Sequence, residues 1–215
     1  MFENEKELKE LALSLLTEKR YKHTQGVRET ARLMCKRFGG KYEMSANSTA
    51  SGRADKAPDE VMPLSEKADL AVCFHDIFRG RPVSELDELA DRYGIPERYK
   101  GDPNLAHGKL AAAAMKDDYG IEDEDVINAV SYHTTGRENM TLLEKIVFLA
   151  DAIEPDRDYP GVERLRQLAE TDLDAACLAS LEGTIGFLES AGMRESEIDP
   201  DTILARDWLR AHCNK

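Results

Sequence analysis

Along most of the chain, apolar side chains return every three or four positions, the period of a helix with one buried face. Residues 5–19 put Leu8, Leu11, Leu15 and Leu16 on one such face. Residues 22–38 turn Val27, Ala31, Leu33 and Met34 inward and meet a stop signal at Gly39 and Gly40. A third helix is expected over 65–78. A short one over 84–93 opens on the capping pattern "SELD" and closes before Gly94. The same period fits 104–118, 123–134, 141–153, 161–170, 172–190 and 200–212. Nowhere does strict alternation persist as a half-buried strand requires. The expected fold is all-α.

One stretch breaks the pattern. Residues 39–63, "GGKYEMSANSTASGRADKAPDEVMP", are rich in Gly, Ser, Ala and Pro and carry no apolar stripe. They are expected to form a flexible insertion on the surface of a single domain spanning 1–215. The chain is long enough for one full core.

Composition narrows the partners. The 215 residues are 41% hydrophobic and 33% charged, ordinary for a soluble globular protein. A net charge of −13 argues against nucleic-acid binding, which needs a cationic face. The most apolar run, "LLEKIVFLADAI", is too short and too charged to cross a bilayer, so no membrane partner is expected. The start, "MFENEKELKELALSLL", is acidic and amphipathic, unlike a signal peptide. Cys35, Cys73, Cys177 and Cys213 show no CxxC spacing and fit reduced thiols of a cytoplasmic protein. The acidic surface is as compatible with a homodimer as with a monomer.

The chemistry starts at "LAVCFHDIF", residues 70–78, where His75 and Asp76 sit among apolar neighbours. A carboxylate in such surroundings must pair, protonate or bind a cation. A second acid, Asp151 in "EKIVFLADAIEP", poses the same problem, and Lys145 is six residues away, too far round and along the helix to answer it. A divalent cation does answer it. His75 and Asp76 near a helix end, Asp151 from a facing helix and His23 from an earlier one make a two-His, two-Asp set with positions left for water or substrate. Imidazole and carboxylate together suit iron, manganese, cobalt, nickel or zinc. The alternative is a buried His–Asp hydrogen-bond network that only ties helices together.

The order H…HD…H…H…D, filled by His23, His75-Asp76, His107, His133 and Asp151, resembles the HD-domain superfamily of metal-dependent phosphohydrolases. "RYKHTQGV", "KADLAVCFHDIFR", "LAHGKLAA", "AVSYHTTG" and "MTLLEKIVFLADAIEPDRDYPGV" are similar to the YqeK-like family, bacterial symmetrical bis(5′-nucleosyl)-tetraphosphatases. The resemblance covers residues 5–190, and 39–63 departs from it, since the family has a shorter link there. It implies a helical HD bundle that binds iron and hydrolyses diadenosine tetraphosphate, a small nucleotide, to two ADP. The implied metal ligands are His23, His75, Asp76 and Asp151. His107 and His133 match histidines that face the phosphates, and Arg20 and Arg157 match positions that hold the nucleotide.

Those roles have a physical sense. Asp76 would orient or deprotonate the attacking water, while His107 and His133, if protonated, would neutralise phosphate or protonate the leaving group. They would otherwise bind a second metal. Arg20 and Arg157 offer forked hydrogen bonds to phosphate, with Arg79 a weaker candidate. In "HTTG", Thr134 and Thr135 offer hydroxyls and Gly136 a close turn against the nucleotide, though a plain helix cap would need Gly136 equally. Glu154-Pro155 is expected to end the Asp151 helix and aim Arg157 back at the site. Two other readings stay open: an HD-superfamily nucleotidase or nucleoside triphosphate hydrolase, and a non-catalytic nucleotide-binding regulatory protein.

Overall fold

The computed structural model describes residues 5–49 and 62–213. Among them are ten α-helices and no strand, the all-α architecture expected. They are α1 (Glu5–Ser14), α2 (Glu18–Thr49), α3 (Leu64–Phe74), α4 (Val83–Tyr93), α5 (Pro103–Asp117), α6 (Glu124–Ser131), α7 (Leu142–Ile153), α8 (Val162–Ala169), α9 (Leu173–Ser190) and α10 (Pro200–His212).

Helix α7 lies at the centre. Leu143, Ile146, Val147, Phe148, Leu149, Ala150 and Ile153 are all buried, and the helix packs on α2, α3, α6, α8 and α9. Such all-round burial explains why its sequence is nearly continuously apolar. Lys145, near its start, pairs with Asp174 at 2.7 Å and not with Asp151. Side-chain caps start six helices: Thr17 for α2, Asp102 for α5, Asp123 for α6, Thr141 for α7, Asp172 for α9 and Asp199 for α10.

Several boundaries differ from the expected ones. The helix expected over 5–19 ends at Ser14, whose hydroxyl bonds the Leu11 carbonyl at 2.7 Å. Thr17 then starts α2, accepting the Tyr21 amide at 2.8 Å on its carbonyl. Leu33, expected inward, is 49% exposed. Pro82, without a side-chain cap, precedes α4 where Ser84 was expected to cap it. The main correction concerns Gly39 and Gly40. Instead of stopping the helix, they lie inside α2, and neither has a positive φ. Gly39 is buried, and a β-carbon there would touch Leu64 of α3, so packing of α2 on α3 carries the helix past the glycines. The expected flexible insertion is thus helical over residues 39–49, and residues 50–61 lie outside the described ones. No helix among the described residues is long and apolar enough to cross a membrane.

Candidate metal centre

Five helices bring the polar residues together. Arg20 and His23 sit one turn apart near the start of α2. His75 and Asp76 leave the end of α3, where the backbone relaxes into tighter turns and Ile77 bonds Phe74 at 3.2 Å. That loosening lets two adjacent side chains face one place. His107 is on α5, His133 follows the end of α6, and Asp151 is in the last turn of α7.

All four imidazoles are held the same way. His75 Nδ1 lies 2.6 Å from the Val72 carbonyl, His107 Nδ1 3.1 Å from that of Pro103, and His133 Nδ1 2.7 Å from that of Val130. His23 Nδ1 lies 3.0 Å from Glu154 Oε1. Only an N–H can face these oxygens, so Nδ1 carries the proton in each ring and Nε2 offers its lone pair inward.

The Nε2 atoms converge on the two carboxylates. Asp151 Oδ1 is 2.9 Å from His23 Nε2 and 4.0 Å from His75 Nε2. Asp76 Oδ2 is 3.8 Å from His23 Nε2 and 3.6 Å from His75 Nε2, while its Oδ1 is 3.4 Å from His107 Nε2. The Nε2 atoms of His107 and His133 are 3.0 Å apart. The donors form two trios, His23–His75–Asp151 and Asp76–His107–His133. Asp76 faces both.

This set fits a divalent cation. His75 has no exposed surface, and its Nε2 has no hydrogen-bond partner. Such an orphaned buried acceptor is costly unless something positive faces it. Separations of 3–4 Å between donors suit atoms each bonded at about 2 Å to a shared ion. The hydrogen-bond network alone leaves the inward lone pairs unanswered.

Charge follows the same layout. Burial would raise the Asp76 carboxyl, but the surrounding imidazoles of His75, His107 and His133 outweigh it and hold it far below the ordinary range. Asp151 is likewise lowered against its burial, by His23 and Arg157. Burial would lower His23, yet Asp151 and Glu154 on its two sides raise it. Burial, then His107 and His75, push His133 down to about 3, so it is neutral near pH 7 and presents a lone pair.

The two expected phosphate-binding arginines stand at the rim. Arg20 donates to Asp76 Oδ2 at 3.0 Å and Arg157 to Asp151 Oδ1 at 2.6 Å. Arg157 also donates to the Asp151 carbonyl at 2.8 Å, curled back by the turn after α7 as the Glu154-Pro155 break implied. Each acid therefore has an arginine partner, supplied from outside its own apolar run. Arg79 stands beside His107, its Nη1 3.5 Å from the same Pro103 carbonyl.

"HTTG" divides. Thr134 is exposed, with its hydroxyl 3.2 Å from His133 Nε2. Thr135 is buried and bonds the Gly136 carbonyl, away from the other donors. Gly136 has φ 65° and lies against Ala205 and Met140, so it serves the turn between α6 and α7.

A model of the HD domain matches residues 20–156. The chain belongs to the HD-domain family. Within it, the chain is 38% identical over 195 residues to the symmetrical bis(5′-nucleosyl)-tetraphosphatase of Bacillus subtilis, covering 90% of this chain and 91% of that one. It is 41% identical over 197 residues to the protein of the same name from Halalkalibacterium halodurans, covering 90% of each. A Clostridium acetobutylicum structure described as a predicted HD superfamily hydrolase involved in NAD metabolism shares the fold with a TM-score of 0.78 at 33% identity, covering 98% of this chain and 99% of that one. His75-Asp76 is the one His-Asp pair in the matched span, which starts at Arg20 and takes in every donor of both trios.

Glu154 was not picked out from sequence except as a helix end. Two signals pointed to it: a carboxylate closing an apolar helix, and Gly26, an isolated glycine within a helical pattern one turn after His23.

Proposed function

We propose that this chain is a metal-dependent hydrolase that cleaves diadenosine tetraphosphate symmetrically to two ADP, with iron as its ion. The observation that carries the metal reading is the shared orientation of four rings, each pinned at Nδ1, with the Nε2 atoms of His23, His75 and His107 turned to Asp76 or Asp151 and that of His133 turned to His107. The substrate is taken from the relatives, which resemble this chain over nine-tenths of its length. Mixed imidazole and carboxylate donors also accept manganese, cobalt, nickel or zinc, and iron follows from the family resemblance.

His23, His75 and Asp151 would hold one ion, with Asp76 beside them, and His107 and His133 with Asp76 offer a second place. A divalent cation held there would supply Lewis acidity to a phosphoryl oxygen and lower the pKa of water toward neutrality. Asp76, hydrogen-bonded to Arg20 and facing three imidazoles, stays ionised and orients the water. Arg20 and Arg157 at the rim bind phosphate oxygens, and the exposed Thr134 hydroxyl stands beside His133. The water oxygen bonds to one central phosphorus while the bridging P–O bond to the other central phosphorus breaks. The bond's electrons leave on the second ADP, and the water's protons pass to solvent and product phosphate. His133, neutral near pH 7, acts through its lone pair and not as a standing positive charge.

The test is product analysis. Metal-stripped protein supplied with ferrous iron turns diadenosine tetraphosphate into ADP alone, and chelator stops it. ATP plus AMP as products, or turnover of simple nucleotides only, overturns the assignment in favour of a different HD hydrolase. Nucleotide binding without turnover would support the regulatory reading.

A further inference from the structure

One buried acid near the centre belongs to neither trio. Glu154 follows the last residue of α7 and is 3% exposed. Its Oε1 takes the His23 Nδ1–H at 3.0 Å, and its Oε2 takes the Asp156 amide at 2.7 Å. Arg157 Nε is 3.9 Å away, beyond a good hydrogen bond. A carboxylate is costly to bury for so few partners, which makes its placement informative.

Two other features exist to keep it there. A β-carbon on Gly26 would stand 2.6 Å from Glu154 Oε2, so α2 is bare at the point where the carboxylate crosses it. Arg166 on α8 donates to the carbonyls of Ile153 at 3.0 Å, Glu154 at 2.7 Å and Arg157 at 2.9 Å, tying down the turn that presents the acid.

The contrast with the other rings gives the arrangement its meaning. His75, His107 and His133 each rest on a neutral carbonyl three or four residues back in their own turn. His23 differs: its acceptor comes from another element, the Glu154 carboxylate just after α7. That acceptor carries a full charge. An imidazole bonded through Nδ1–H to a carboxylate is a stronger donor at Nε2 than one bonded to a carbonyl.

We propose that Glu154 is a positioning residue that locks the His23 tautomer and makes the His23–His75–Asp151 trio the tighter of the two cation positions. The inference rests on the metal reading of the site and adds an order of affinity to it.

Calorimetric titration of metal-stripped protein with Mn2+ tests it, with melting temperatures confirming folding. Wild type shows a strong and a weak step. Glu154→Gln keeps the shape and an acceptor oxygen but removes the charge; it weakens the strong step about ten- to a hundredfold and leaves the weak one unchanged. His107→Ala removes the weak step alone. If Glu154→Gln does not fold, Gly26→Ala, which keeps the carboxylate but crowds its Oε2, shows the same selective weakening. A single wild-type step weakened by Glu154→Gln also supports positioning by Glu154 and overturns the two-position ranking. Unchanged steps in Glu154→Gln, or loss confined to the weak step, overturn the proposal while the metal reading stands. A wild type that takes up no Mn2+ overturns both.

Discussion

His107 and His133 face each other through Nε2 atoms 3.0 Å apart, while each turns Nδ1 to a main-chain carbonyl. Two imidazole lone pairs at that distance repel unless a proton or a cation lies between them. The pair is therefore built to share something positive, and small displacements of either ring will be felt in turnover.

Gly108 makes that sensitivity testable. A β-carbon there would lie 2.9 Å from His133 Cε1 and 3.0 Å from the Val130 carbonyl that anchors the ring. Gly108→Ala should lower kcat about 100-fold, the usual effect of a misplacement near 1 Å. Its helical circular dichroism should stay that of the wild type. Full activity in this variant would show that His133 need not sit where it does.

Arg157 grips Asp151 with two nitrogens, at 2.8 and 2.6 Å. Lysine cannot form that fork. Losing one charge-assisted bond costs about 1.5–3 kcal/mol, so Arg157→Lys should reduce kcat/KM for diadenosine tetraphosphate roughly tenfold or more. Steady-state kinetics would show it, and an unchanged value would leave Arg157 a structural brace only.

Lys109 offers a pH signature away from the reaction. It is 8% exposed, its Nζ 3.5 Å from the Tyr132 ring centroid and 3.5 Å from Asp201 Oδ2, with Tyr99, Arg98 and Asp199 nearby. Burial outweighs the two aspartates and lowers it from 10.5 to about 8. A depressed lysine penalises the native state fully below pH 8, and the penalty fades as pH rises to 10.5, because there the unfolded chain binds more protons. Lys109→Met should therefore be more stable than wild type at pH 7 and lose a few kcal/mol of that advantage by pH 10. Urea melts of both proteins give the difference; an advantage that does not change with pH refutes the assignment.

Gly40 tests the long second helix. Nothing lies within 4 Å of a β-carbon placed there, and its φ is not positive. Within a helix, Gly40→Ala should stabilise the fold by about 1 kcal/mol, read as a higher melting temperature. A true stop in the left-handed region would make the same change destabilising.

Much of the centre was visible in the sequence because its residues break the rules of their surroundings. His75, Asp76 and Asp151 are polar groups in apolar runs, and the structure puts all three in one place. Helix ends were less legible. Ser14 ends a helix through its own hydroxyl, and Gly39 continues one through contact with another helix. Periodicity sees neither event. Within "HTTG", Thr134 reaches the donors while Thr135 and Gly136 serve the turn, a split that depends on which way the chain leaves α6. Glu154 escaped because its partner is on the far side of the chain in sequence, and only the bare patch at Gly26 hinted at it.

Helix α2 holds Arg20 and His23 one turn apart and packs on both α3 and α7. On the function proposed above, one rod would thus carry a phosphate contact and a cation-facing ring, and it rests on the two helices that supply the acids. A tilt of that rod would move both residues together, tying release of product to loosening of the ion's coordination.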